Sequence, residues 1–190
     1  MKKFVLIFVS GMCMSCNSNN NESNPQTYPN GKIIKFKLAS DTEHIGDAEL
    51  KVINTSKGIW MLNGNEIGKV KIEEGPNQIS LESFGINEPN FLSGLIYPKI
   101  SKSPAVGETY TITRKRAGIT EPEIKQLLKV EKQIDTTIND KHYTNAWIIS
   151  GHSTVKNKQF FGRYIYHPDY GFIHFWETGH SGTPVILSLQ

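Results

Sequence analysis

The chain has 190 residues and a mass of 21.4 kDa, the size of one ordinary domain with extensions rather than two full domains. Its 21 Lys and Arg against 18 Asp and Glu leave a net charge of +3, too small for a basic nucleic-acid surface, so no nucleic-acid partner is expected. With 37% hydrophobic residues and no apolar run near the roughly 18 residues of a spanning helix, the bulk should fold around its own core.

At the N-terminus, Lys2 and Lys3 form a basic start, and Phe4, Val5, Leu6, Ile7, Phe8 and Val9 form a short apolar stretch, followed by the small Ser10 and Gly11. This is the pattern of a secretory signal peptide, expected over residues 1–15. The segment Cys13-Met14-Ser15-Cys16 stands at its end and resembles the lipobox of bacterial lipoproteins. In that family the thiol after a small residue is acylated with diacylglycerol, and the chain is cut just before it. Ser15 precedes Cys16, whereas the larger Met12 precedes Cys13, so the resemblance implies Cys16 as the lipidated residue. Cys13 departs from the aliphatic residue usual at its position. The resemblance implies a lipid anchor in the membrane of a bacterial cell envelope, with the outer membrane as the expected location and its periplasmic or surface face left open.

Both cysteines lie within the first 16 residues and the remaining 174 have none. The folded part therefore has no disulfide, no thiolate nucleophile and no Cys-based metal site. Removing residues 1–15 takes away Lys2 and Lys3 and leaves 19 basic against 18 acidic groups, so acyl chains rather than a polybasic patch would hold the membrane. Residues 16–30 carry the lipidated cysteine and then a stretch rich in Asn and Ser with one aromatic and no aliphatic side chain. Such a segment is expected to be a disordered tether. Residues 31–190 form a single domain.

From residue 31 the period is two. Ile34, Phe36 and Leu38 alternate, as do Ala48, Leu50 and Val52. Trp60 and Leu62 precede Asn63-Gly64, a strong hairpin signal because both residues tolerate positive φ. Val70 and Ile72, then Ile79 and Leu81 beyond Gly75-Pro76, continue the pattern. Residues 84–103 read mostly as loop, with a strand at Leu95 to Tyr97, and Tyr110 and Ile112 mark another strand. Thr120-Glu121-Pro122-Glu123 reads as a capping box, with Ile124, Leu127 and Leu128 at helical spacing, which predicts one short helix. Leu128, Val130, Ile134, Thr136 and Ile138 then fall on one face of a strand, with Lys132 interrupting.

Asn139-Asp140 turns the chain into Tyr143 to Ser150. Phe160 to Tyr166, a turn at residues 167–171, Phe172 to Trp176 and Val185 to Leu189 complete the pattern. The fold class is mainly β: an antiparallel meander forming a curved sheet, half-barrel or barrel, with at most one short helix. The runs Val130 to Ile134, Tyr143 to Trp147 and Tyr164 to Phe175 resemble a sheet-building module of bacterial envelope lipoproteins, which implies a sheet and no catalytic residues. Gly58-Ile59-Trp60 has the Gly-x-Trp spacing seen in lipocalins.

Five of the six histidines, His142, His152, His167, His174 and His180, fall within 39 residues, but without His-x-His or His-x-x-x-His spacing. A metal would need ligands from separate strands with Asp169 or Glu177, so no metal and no other cofactor is expected. Gly-His-Ser occurs at residues 151–153 and 179–181. It invites comparison with a nucleophile elbow, yet neither copy is Gly-x-Ser-x-Gly and neither precedes a helix, so both read as polar turns. No catalytic residue is assigned.

Ten aromatics lie in the 34 residues from Tyr143 to Trp176. Strict alternation puts Tyr164 and Tyr166 opposite Ile165, and Phe172 and Trp176 opposite Ile173 and Phe175. One face must cover the core. The other makes Tyr164, Tyr166, Phe172 and Trp176 a candidate ligand platform. The functional expectation is a membrane-anchored envelope lipoprotein with a non-enzymatic binding or structural role, its partner a small apolar ligand or another envelope protein. The alternatives are a carrier of a lipid or other apolar ligand in a half-barrel or lipocalin-like cavity, and a hydrolase built on the histidine-rich half.

Overall fold

Period-two patterning becomes twelve antiparallel strands in the computed structural model, which describes residues 26–40, 46–84, 98–114, 124–155, 158–178 and 184–190. They are β1 (Ile33–Ser40), β2 (Gly46–Asn54), β3 (Lys57–Leu62), β4 (Asn65–Glu74), β5 (Gln78–Phe84), β6 (Lys99–Ser101), β7 (Thr109–Arg114), β8 (Ile124–Ile138), β9 (Lys141–Val155), β10 (Lys158–His167), β11 (Gly171–Thr178) and β12 (Pro184–Leu189). They form one sheet in the order β6-β5-β4-β3-β2-β1-β12-β11-β10-β9-β8-β7, curled into a nearly closed barrel.

The turn residues act as their chemistry requires. Asn63 and Gly64 both take positive φ, 48° and 84°, and connect β3 to β4 in two residues. Asn139 and Asp140, at 46° and 65°, do the same between β8 and β9. The side chains expected to face inward are buried: Ile34, Phe36, Leu38, Ala48, Leu50, Val52, Trp60, Val70, Ile72, Ile79 and Leu81. Edge-on aromatic contacts fill the middle of the barrel. Phe36 stands 5.5 Å from Trp60, and both meet Phe175 from the far half of the chain, at 5.9 and 6.3 Å.

Two expectations are corrected. Ile124 to Leu128 begin the fifteen-residue strand β8 and are not helical, and no helix occurs among the described residues. Within that strand Gln126 is buried and Leu127 is 37% exposed, the reverse of what an apolar helix face would require. The tether reaching residue 30 also ends earlier, because Thr27 and Tyr28 are buried. Their backbone N–H groups donate to the two carboxylate oxygens of Glu74 at 2.7 and 3.0 Å, and the Lys102 ammonium reaches the same carboxylate at 2.7 Å. Burial would raise the Glu74 pKa, but these hydrogen bonds outweigh it and hold the group below its ordinary value. The Tyr28 ring plugs the barrel end that carries the β10–β11 turn. The signal peptide, Cys16, the Leu95–Tyr97 strand and the proposed helix cap at residues 120–123 lie outside the described residues.

The sheet has two edges, β6 and β7, which face each other across a seam. No ladder joins them. The Ser101 N–H donates to the Tyr110 hydroxyl at 3.0 Å, a side chain standing where a strand carbonyl would. An opening of about 560 Å3 follows the seam, lined by Ile100, Tyr110 and Ile112 among others. Tyr110 and Ile112 are only half-buried, though they pack against the core.

Candidate functional site

The aromatic hairpin β10–β11 places its residues on two sides of the barrel wall. Tyr164, Tyr166 and Phe172 point inward and are at most 1% exposed. Trp176 is half-buried on the outer face. The four therefore do not share a platform. The reason is a bulge: Ile165 pairs with His174 and Tyr166 with Phe172, so Ile173 is an extra residue in β11 and the alternation skips a beat. Phe172, Ile173 and Phe175 are all buried as a result, while His174 and Trp176 turn outward.

Inside the wall sits one buried acid. Glu177 is 3% exposed, and the Tyr164 hydroxyl donates to its Oε1 at 2.6 Å. Burial pushes its pKa up to about 7, with the Tyr164 hydrogen bond opposing. Gly162 lies directly opposite Glu177 in the ladder, and the Tyr164 ring folds back over it. A Cβ at Gly162 would stand 2.7 Å from the Tyr164 hydroxyl, so only glycine leaves the ring room to reach the carboxyl. The second carboxyl oxygen, Oε2, and the Ser153 hydroxyl are buried without a hydrogen-bond partner among the described residues. Neither is accessible to water, so this end of the interior is closed as it stands.

The outer face of the same strands carries an open groove of about 780 Å3. Its floor is Ile148, Ile165 and Trp176. Ile148 is only 6% exposed yet does not belong to the barrel core; it is buried from outside. Ile148 pairs with Ile165, and Arg163 pairs with Trp176 on one side and Ser150 on the other, so neighbouring strands deliver these side chains as adjacent cross-strand pairs. A bulge in β8 makes Glu131 an extra residue between Val130 and Lys132. Glu131 and Lys132 are both exposed there and rim the groove.

Charges around the groove are unevenly matched. Glu131 accepts from the Ser150 hydroxyl at 2.6 Å and from Lys129 at 3.2 Å, and these contacts, the Ser150 bond first, hold its carboxyl below the ordinary value. His174 has its Nδ1 3.0 Å from the Ser188 hydroxyl. Burial lowers its pKa, with the Arg163 charge adding to the effect, so it is neutral at pH 7. Among the described residues no ion pair joins Arg163 or Lys132 to a carboxylate, but the Arg163 charge also acts on Glu131 and adds to holding it ionised.

The remaining motifs do not converge. In Gly151-His152-Ser153 the histidine is exposed and the serine buried, as successive strand residues must be, so His152 cannot activate Ser153. The second Gly-His-Ser lies outside the described residues. The Asp169 N–H donates to His167 Nδ1 at 3.1 Å within the β10–β11 turn. Among the described residues no three His, Cys, Asp or Glu side chains gather into a metal-holding group. The sequence missed Arg163, Ile148 and Glu131 as members of one site because they sit on three strands whose register no local motif announces.

No protein-family model matches the chain, and no curated protein matches it. Solved structures with a similar chain course include a candidate lipoprotein from Parabacteroides distasonis, 10% identical with a TM-score of 0.49, covering 86% of this chain and 96% of that one. Another is the hypothetical lipoprotein YmcC from Escherichia coli, 15% identical with a TM-score of 0.46, covering 90% of this chain and 89% of that one.

Proposed function

We propose that this chain is a lipid-anchored protein of a bacterial cell envelope, tethered through Cys16, whose role is to bind rather than to catalyse. The anchor reading rests on the basic start, the short apolar stretch and Ser15-Cys16. The binding reading rests on one observation: an apolar floor of Ile148, Ile165 and Trp176 lies on the outside of the barrel beside the exposed cation Arg163. A lone exposed isoleucine needs no explanation, whereas a contiguous apolar floor ringed by charge is what binding surfaces are made of. Against an interior cargo speak the inward rings of Phe36, Trp60, Tyr164, Tyr166, Phe172 and Phe175, which pack against one another at 5.4 to 6.3 Å. Metabolic labelling with a fatty-acid analogue tests the anchor. The wild type should be tagged and Cys16→Ala should not; label surviving in that variant and lost in Cys13→Ala would move the acylated residue.

A further inference from the structure

We propose that the outer groove is a site for a small organic anion, one anionic head on a flat or apolar body, with Arg163 holding the head and Trp176, Ile165 and Ile148 the body. The proposal deepens the binding reading and names the ligand class of that same groove. Arg163 is exposed on β10, and its strand neighbours are the Trp176 indole and the Ser150 hydroxyl. A guanidinium presents paired N–H donors in a plane that match a carboxylate or phosphate edge, and an adjacent indole offers a flat apolar face for the rest of the molecule.

Charge decides the sign of the ligand. The acid at the rim, Glu131, is already engaged by the Ser150 hydroxyl and Lys129, and the Arg163 charge acts on it as a further, weaker contribution. His174, on the same floor, is neutral and so adds no positive charge; its hydrogen bond to Ser188 fixes the ring beside Ile165, its ladder partner. Around the groove Lys129, Lys132 and Arg163 stand against the single lining acid Glu131, which the Arg163 charge also helps hold ionised, so an anion entering here meets an excess of positive charge. A cation would be repelled by it.

Size bears only on the ligand's bulk, not on its charge. A volume of about 780 Å3 falls within the range of roughly 300–1,000 Å3 typical of small-molecule sites. Because the groove is open along the sheet, one charge-assisted contact and about three apolar side chains should give modest affinity, so a weak-binding measurement is appropriate.

The test uses the full acylated chain in phospholipid nanodiscs, with empty nanodiscs as the blank, and three probes that share one body: 3-(4-fluorophenyl)propionate, 2-(4-fluorophenyl)ethyl phosphate and 3-(4-fluorophenyl)propanol. Ligand fluorine NMR reads binding through line broadening. The two anions should bind at least ten times more tightly than the alcohol, and their ratio tells whether a carboxylate or a phosphate is the preferred head. Arg163→Gln should weaken the anions at least tenfold with an unchanged melting temperature, since Arg163 is exposed. Arg163→Lys should restore part of the loss. Equal binding of the alcohol, or unchanged binding in Arg163→Gln, overturns the proposal. Failure here with intact Cys16 labelling would leave the anchor standing and remove only the ligand class.

Discussion

The Tyr164 hydroxyl donates to Glu177 Oε1 at 2.6 Å inside the barrel wall, across the bare backbone of Gly162. A carboxyl in that position is neutral until pH rises well past its ordinary value, and ionising it there means placing a charge where water does not reach.

The pair therefore makes stability depend on pH in a stated direction. The Glu177 pKa is about 7 in the fold against 4.5 as the ordinary value. Its contribution is fully present below pH 4.5, declines as pH rises from 4.5 to 7, and is lost above that, amounting to about 3 kcal/mol. His174 acts oppositely in part of the same window, because its lowered pKa costs stability as pH falls below 6.5. The difference between variants isolates the acid. Glu177→Gln should gain on the wild type between pH 5 and pH 8 by about 6–12 °C in melting temperature. Parallel curves for the two proteins would refute the assignment.

Gly162→Ala tests the cradle itself. The added methyl displaces the Tyr164 hydroxyl from Glu177, so the variant should lose about 1–3 kcal/mol in urea unfolding. In a Tyr164→Phe background the same change should cost less. The relief should be partial, since the ring carbon that bears the hydroxyl is itself only 3.0 Å from the added methyl.

Tyr164→Ala and Phe175→Ala should each cost about 3–5 kcal/mol. They are ladder partners on one face, both buried, with rings 5.9 Å apart. The double variant should fall short of the sum, because each single change already removes their mutual contact. A small loss for Tyr164→Ala alone would contradict its inward placement.

The N-terminal plug gives a fourth test. The Phe172 N–H donates to the Tyr28 hydroxyl at 3.1 Å, so Tyr28→Phe leaves a buried donor unpaired and should cost about 1–3 kcal/mol. Gly171→Val should cost more, for two separate reasons. Gly171 has φ of +77°, and a Cβ there would collide with the Tyr28 hydroxyl and with Thr27. Truncation through residue 28 should lower the melting temperature with Gly171 untouched; an unchanged melt would mean that the plug does not bear on the fold.

Much of the fold was legible because turn chemistry and alternation agreed. Asn63-Gly64 and Asn139-Asp140 have few alternatives to a two-residue hairpin, and the apolar residues between such turns mostly face inward. What misled was a short apolar run with two periods. Ile124, Leu127 and Leu128 suit a helix, yet β8 buries Gln126 and exposes Leu127, a choice made by pairing with β9 and invisible locally. The platform failed for a related reason: one extra residue, Ile173, reverses every later side chain in β11, and nothing in the sequence from Gly171 to Trp176 marks it. The groove was least legible of all, since Glu131, Ile148, Arg163 and Trp176 come from four strands and meet only through register.

The ladder between β1 and β12 has a consequence for how the molecule assembles. Every other pairing links strands consecutive in the chain, so strands β1 to β6 and β7 to β12 can each zip up hairpin by hairpin, whereas Phe36 must find Leu189 across nearly the whole sequence. Pairings of such long reach close late and slowly. Until that ladder forms, each half is a curved sheet with an apolar concave side and an unprotected inner edge, the kind of species that associates with its own copies. The lifetime of the two open halves, more than the strength of any single hairpin, then sets how much chain reaches the native barrel.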